Sequence, residues 1–382
     1  MDVIPFGRPI FGEEEGKAVL AVMASGTLVH GPKLVEFEAA FGRFTGAPYC
    51  VAVANCTAAL HLAYFNLGIK SGDEVIVPAQ THTATAHAVE LAGGKPIFVD
   101  AEAITGNIDI SRIEAAITPR TKAISIVHYL GMPVEMDKVM AIANKYKLFV
   151  VEDCALATGT YYNGVHAGLH GDVGCYSFYP AKHMTTSEGG MVITKHEKVA
   201  QAISRQRAFG MDKHVGERKI PGVYDVQGLG FNYRMSEINA AIGVEQLKRL
   251  PGFLAKRTEN HRALTKALSV IKGISMLQSE RPGSVHSYYC HTILLDEDLV
   301  LKRVDVIKYL NQNGVGTSIY YPHPVPYMTF YRQKYGYKEG DFPVAAKISD
   351  YSIALPVGPH IGLKEMAKIA ETLEKAISLF KE

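Results

Sequence analysis

Between residues 49 and 194 the chain changes period again and again. Short, continuous apolar runs at 51–54, 74–77, 96–99, 123–127 and 148–151 are rich in Val and Ile and are closed by Gly, Pro or polar residues. Each is too short for a helix and reads as a buried strand. Between them lie stretches with helical character at 56–63, 84–91, 110–117 and 136–146. Strands that are apolar along their whole length and alternate with helices build a largely parallel sheet covered on both faces. An α/β fold is therefore expected. In such sheets ligands sit beyond the carboxyl ends of the strands. That rule points to residues 55–57, 78–82, 128–129 and 152–153.

Two of those strand ends carry chemistry. Asn55, Cys56 and Thr57 open a helix, and a helix N-terminus offers free N–H groups and partial positive charge to a phosphate. An ordinary helix cap is the alternative. Asp153 ends a buried strand, where a carboxylate is costly without a partner. A protonated pyridine nitrogen would serve, as would a purely structural donor.

A lone lysine stands in the segment Tyr176-Ser-Phe-Tyr-Pro-Ala-Lys182-His-Met-Thr-Thr-Ser-Glu-Gly-Gly190-Met191. Strands are expected at 173–178 and 191–194, with Lys182 in the turn between them. Its nearest charged neighbour along the chain is Glu188. Gly189 and Gly190 allow the backbone a close approach to whatever fills the site. A lysine among apolar and hydroxyl groups loses its proton readily, and the free amine can form a Schiff base. A solvated hairpin lysine is the alternative.

Around this centre, helices are expected at 12–25 and 32–44, the first with Glu13, Glu14 and Glu15 at its dipole-positive end. After 194 come a helix at 199–207, a polar Gly-rich stretch at 212–228 expected to be mobile, and a helix at 237–247. Pro251-Gly252 is expected to break that helix and divide the chain. Beyond it the pattern predicts helices at 254–268, 304–311 and 363–380 and strands at 288–294 and 317–320. The Pro-rich loop 320–326 is expected to be stiff. The 382 residues suit two domains: a large one, 1–250, and a smaller α+β one, 251–382.

Forty basic against 38 acidic side chains leave a net charge of +2. With no basic stripe there is no case for nucleic acid. Cys50, Cys56, Cys154, Cys175 and Cys290 are scattered without a C-x-x-C pair, which fits free thiols in a reducing cytoplasm. No signal peptide and no membrane span are read. His82 and His87 lack the i, i+4 spacing of a helical zinc pair, and no G-x-G-x-x-G follows Val53. Neither a metal nor a nicotinamide cofactor is expected.

Four motifs stand in order: Asn55-Cys-Thr-Ala-Ala-Leu-His-Leu-Ala63, Glu152-Asp-Cys-Ala155, Ser177-Phe-Tyr-Pro-Ala-Lys182 with Glu188-Gly-Gly190, and Gly230-Phe-Asn-Tyr-Arg-Met-Ser236. Together they resemble the DegT/DnrJ/EryC1/StrS family, from about Pro9 to the last helix. The resemblance implies the aspartate-aminotransferase fold (fold type I) and pyridoxal 5′-phosphate (PLP), with pyridoxamine phosphate forming in turnover. It implies that Lys182 carries the cofactor and shuttles protons, and that Asp153 pairs with the pyridine N–H. Cys56, Thr57 and Ser177 would hold the phosphate, and His82 would stack on the ring. Asn232 would reach the phosphate of a second copy, making a homodimer with shared sites. Arg234 is a candidate substrate group, and His183 and His323 are candidates to touch the substrate or to support the groups that do. Three positions depart from the family pattern. Cys56 replaces Gly or Ser, His82 replaces the commoner Phe or Tyr, and Leu156 stands where Gln, Glu or His would hydrogen-bond.

The activity so implied is ping-pong transfer of an amino group from L-glutamate to C3 or C4 of a keto-deoxy sugar on a nucleotide. The 230–235 stretch is similar to perosamine synthases, which act at C4. A sugar 3-dehydratase of the same family would carry His where Lys182 stands. A small phosphorylated ketone as acceptor and a non-catalytic regulator are the remaining alternatives.

Overall fold

The computed structural model describes residues 3–212, 220 and 222–381. Two helices come first, α1 (Glu13–Ser25) and α2 (Pro32–Thr45). Three glutamates fill the first turn of α1, and Gly26 closes it with φ 70°, a left-handed cap that glycine adopts without strain. Pro32 occupies the first turn of α2, where a missing N–H has no helical partner to lose.

The alternating core follows as read. It runs β1 (Tyr49–Val53), α3 (Cys56–Asn66), β2 (Glu74–Pro78), α4 (Thr83–Leu91), β3 (Lys95–Val99), α5 (Ile113–Ala116), β4 (Thr121–Val127), α6 (Met136–Tyr146) and β5 (Phe149–Asp153). A short hairpin, β6 (Tyr161–Tyr162) and β7 (Val165–His166), leads to β8 (Val173–Ser177), β9 (Gly190–Thr194) and α7 (Glu197–Gln206). Seven strands form one sheet in the order β1-β9-β8-β5-β4-β2-β3. The pairs β2–β3, β2–β4, β4–β5 and β5–β8 are parallel, and β9 runs antiparallel to β1 and β8.

Strand alternation assigns the faces. Val75, Val77, Ala123 and Val151 pack with α3 residues such as Leu60 and Leu62. Ile76, Ile124 and Val150 pack on the other face with Met136, Val139 and Ala143 of α6. Glu152 and Asp153 follow Val150 and Val151 in register, so the two neighbouring carboxylates leave the sheet on opposite faces.

Helix α8 (Glu237–Leu268) runs straight through Pro251. The expected break at Pro251-Gly252 does not occur. Both residues are exposed, so neither sits on the packed face of the helix. Leu247 and Leu250 of this helix join a cluster with Phe37 and Phe41 of α2, while Leu264 and Leu268 join the C-terminal cluster. Burial at both ends outweighs the local cost of proline.

The rest comprises β10 (Ile274–Met276), β11 (Ser284–Val285), β12 (His291–Leu295), α9 (Glu297–Val300), α10 (Arg303–Gln312), α11 (Thr329–Tyr335), α12 (Pro343–Tyr351), β13 (Ser352–Leu355) and α13 (Leu363–Phe380). Strands β10, β12 and β13 make a second sheet, and β11 pairs with β6. The strand expected from Tyr288 begins only at His291, because Tyr288 takes φ 49° and its N–H turns back to His286 Nδ1 at 2.7 Å. No strand forms at 317–320. Ser318 bridges Ala354, but the Tyr320 carbonyl is taken by the Gln80 and Tyr129 side chains. Of the stretch 212–228 expected to be mobile, 213–219 and 221 lie outside the described residues. Among the described residues no helix is long and apolar enough to cross a membrane.

Candidate active site

The carboxyl ends of β1, β2, β4 and β5 meet the turn between β8 and β9. At the end of β1, Asn55 caps α3, and its Oδ1 accepts the Ala58 N–H at 2.8 Å. The N–H groups of Cys56 and Thr57 have no acceptor within the helix, as at any helix start. Gly190 makes this end a cradle: a Cβ there would lie 2.5 Å from the Asn55 carbonyl carbon and 2.8 Å from Cys56 N. Only glycine lets β9 press so close. Asn55, Thr57, Glu188 and Tyr233 line a cleft of about 430 Å³ at this point. Ser177 is buried at the end of β8, and its Oγ accepts the Tyr179 N–H at 3.4 Å.

Asp153 is 4% exposed. Its Oδ2 accepts the Thr85 hydroxyl at 2.8 Å and its Oδ1 the Ala155 N–H at 3.0 Å. Thr85 lies one turn into α4 and is joined to Thr81 at 2.7 Å. Each carboxylate oxygen thus keeps lone-pair capacity for a further donor. Neighbouring Glu152 is closed. It accepts N–H groups from Gly168 at 2.7 Å and Gly171 at 2.6 Å, and His128 Nε2–H at 3.0 Å. His128 Nδ1 accepts the Val134 N–H at 3.1 Å, which fixes that tautomer. Burial pushes the Glu152 carboxyl up, but these hydrogen bonds and the neighbouring histidines outweigh it and hold the pKa below the ordinary value. His128, Glu152 and Cys154 could group around a metal, yet the His128 and Glu152 donors are already spent on hydrogen bonds, and we read the trio as structural.

Lys182 is half-buried along its length, with its amine end deep among protein atoms. Desolvation lowers its pKa, and Cys56, Asp153 and Cys290 oppose that shift. Those three groups come from α3, β5 and the segment before β12, so one amine sits where three distant parts of the chain converge. The Tyr289 ring lies 5.3 Å from Nζ. His82 caps α4, with Nδ1 accepting the Ala84 N–H at 3.1 Å. Its ring is open to solvent, yet desolvation and the Lys182 charge lower its pKa. Tyr321 meets that ring edge-on at 5.7 Å.

The remaining candidates are less convergent. His183 is 2% exposed and its Nε2 donates to the Ser287 carbonyl at 3.1 Å. Burial and Arg257 hold its pKa well down. Its Nδ1 is buried without a hydrogen-bond partner among the described residues. Arg234 lies 5.0 Å over the Phe209 ring, with its backbone bridged to Val53. Asn232 is exposed and bridged to Ala208. His323 is exposed in the loop beside Tyr321. None of these three hydrogen-bonds the Lys182–Asp153 group. Leu156 is 2% exposed and offers only its carbonyl, which accepts the Ser287 hydroxyl at 3.1 Å, so that wall is apolar.

Sequence reading missed Thr85, Gln80, Tyr289 and Tyr320. Gln80 donates to the Tyr320 carbonyl at 3.0 Å and to the Tyr129 hydroxyl at 3.2 Å, and the Ser349 hydroxyl donates back to it at 3.1 Å. Gln80 falls inside the strand end singled out at 78–82, the one signal available. Partners 240 and 269 residues away are not visible in a linear pattern.

A half-buried lysine with a depressed pKa, an open carboxylate at a strand end and a glycine-cradled helix N-terminus fit PLP as a donor set. With the mostly parallel sheet they define a PLP-dependent enzyme of fold type I. Residues 9–374 match the DegT/DnrJ/EryC1/StrS aminotransferase family, and the chain belongs to that family. It is 35% identical over 379 residues to the spore coat polysaccharide biosynthesis protein SpsC of Bacillus subtilis, covering 98% of this chain and 97% of that protein. Among solved structures it is similar to the putative sugar aminotransferase Spr1654 of Streptococcus pneumoniae in its PMP form, with TM-score 0.94, 27% identity and 99% and 100% of the two chains covered. The same protein is known in a PLP form. It is also similar to Helicobacter pylori PseC, an aminotransferase involved in the biosynthesis of pseudoaminic acid, with TM-score 0.93, 27% identity and both chains fully covered at 100%. The chain is a PLP-dependent aminotransferase.

Proposed function

We propose that this enzyme moves an amino group from L-glutamate to C3 or C4 of a nucleotide-linked keto-deoxy sugar by a ping-pong mechanism. The observation that carries the reading is the convergence of the Lys182 amine with Asp153, Cys56 and Cys290. The sugar reading rests on the relatives, whose names speak of spore coat polysaccharide, a sugar aminotransferase and pseudoaminic acid.

Bound PLP supplies the electron sink that stabilises negative charge at the carbon bearing the amine. Lys182 anchors it, then carries a proton between carbons on one face. Its depressed pKa favours the free amine from which attachment and proton uptake both start. Asp153 would pair with the ring nitrogen, and Thr85 with the Ala155 N–H fixes its orientation. Cys56 and Thr57 at the α3 N-terminus, with Ser177 at the end of β8, would hold the phosphate, and His82 would pack against the ring. Arg234 and His323 are left for substrate.

A second copy of the chain completes the site, with Asn232 reaching across. Exposed Leu20, Met23, Leu28, Val29 and Leu229 supply apolar surface for that contact. The division into 1–250 and 251–382 belongs to the same reading, supported by the separate apolar cluster that Leu264 and Leu268 share with Ile293, Leu355 and Leu373. Five free cysteines fit a cytoplasmic setting. Lys182 itself counts against the dehydratase.

The test is 2-oxoglutarate release from L-glutamate without acceptor, then amine formation on a panel of keto-sugar nucleotides. One equivalent of 2-oxoglutarate per site, with product only from sugar nucleotides, is the expected result. No release, or turnover of small phosphorylated ketones alone, would overturn it.

A further inference from the structure

Residues 286–290 form a strap between β11 and β12 that is bound on every side. Tyr289 N–H donates to the Leu130 carbonyl at 3.1 Å, and Arg257 donates to the Tyr289 carbonyl at 2.8 Å. The Ser287 hydroxyl donates to the Leu156 carbonyl. The Tyr289 hydroxyl meets the Tyr320 hydroxyl at 2.8 Å, and the two rings stand edge to face at 5.3 Å and 89°. Tyr320 is fixed in turn through its carbonyl by Gln80 and Tyr129. Tyr289 is 4% exposed and therefore held in one orientation, with its ring 5.3 Å from the Lys182 amine. That distance is within cation–π range.

The geometry points to Tyr289 as a positioning residue for Lys182, holding the ammonium end over its ring whenever the lysine is released and protonated. The inference rests on reading Lys182 as the residue that carries the cofactor. A lysine that has taken up a proton in mid-reaction must stay close to the carbon to which it will deliver it, and a four-carbon side chain has many other rotamers. Anchoring the ammonium by an aromatic face leaves its three N–H donors free to act. The groups facing the amine are Cys56 from α3, Asp153 from β5, His82 at the start of α4, and Cys290 with Tyr289 on the strap, while Arg257 lies behind the strap. Tyr289 acts in the same direction as Asp153, favouring the ammonium against desolvation.

The test is attachment of PLP to the cofactor-free full chain, followed as growth of the visible absorbance band across a pH series. In attachment the amine nitrogen bonds to the aldehyde carbon with loss of one water, and only the unprotonated amine does this. The midpoint of rate against pH therefore reads the Lys182 pKa. Tyr289→Phe keeps the ring, and its midpoint stays at the wild-type value. Tyr289→Leu removes the ring, and the midpoint falls by about one pH unit. In turnover Y289L lowers kcat roughly tenfold while KM for the amino donor stays within about twofold. If Y289L does not fold, Tyr289→Met, of similar volume, carries the same comparison. An unchanged midpoint in a folded Y289L or Y289M protein overturns the inference, as does an equal shift in Y289F. Failure of the wild type to attach PLP would instead overturn the reading of Lys182.

Discussion

Glu152 and Asp153 are adjacent on one strand and equally hidden from water, but they have opposite surroundings. Behind the sheet, Glu152 spends its oxygens on two glycine N–H groups and a histidine. In front, Asp153 has one donor on each oxygen, and the Lys182 amine lies in its field. A buried carboxylate with a full set of donors stabilises a fold. One with an incomplete set is waiting for a ligand. Burial alone does not separate the two cases; counting donors does.

Substitutions can break this contrast in order of effect. Lys182→Ala removes the front amine, and steady-state turnover should fall on the order of 10⁴-fold or more while the denaturant midpoint barely changes. Asp153→Asn should lower kcat roughly 10²- to 10³-fold, again with little change in unfolding. Glu152→Gln should do the reverse. It sets an amide against two N–H donors and should cost about 2 kcal/mol in urea unfolding, with near-normal kcat in the folded fraction.

The pH dependence of stability sharpens that third case. The folded pKa of Glu152 lies below its ordinary 4.5. Its stabilisation is complete above 4.5 and disappears as the pH falls through the folded value. The gap in Tm between wild type and E152Q should therefore narrow below about pH 4.5 and stay constant above it. A gap independent of pH would mean that the carboxylate charge is not what the glycine N–H groups recognise. At the small end, Thr85→Val strips one donor from Asp153 and should lower kcat several-fold, worth about 1 kcal/mol, without altering stability by more than that.

What the linear sequence made legible was local or periodic. Met136–Tyr146 and Leu363–Phe380 are helices with the bounds read from their apolar spacing. The rule of carboxyl strand ends picked out Asn55 and Asp153 because each closes a buried run, and His82 because it lies in the loop that follows one. Lys182 was conspicuous for its lack of charged neighbours. Three features were not legible. Pro251 reads as a break, yet packing at both ends of α8 carries the helix past it. Tyr288 to Cys290 read as strand, because the Arg257 side chain that holds that backbone is 31 and 32 residues distant in sequence. The Gln80–Tyr320 bond has no periodic trace at all.

The most direct test of the open front face is the absorbance spectrum of the purified protein with PLP, recorded before and after L-glutamate, for wild type and K182A. A visible band in the wild type that fades to the near-ultraviolet with glutamate, and that K182A never develops, is the predicted result. The same band in K182A, or a wild-type band indifferent to glutamate and other amino donors, would contradict the account.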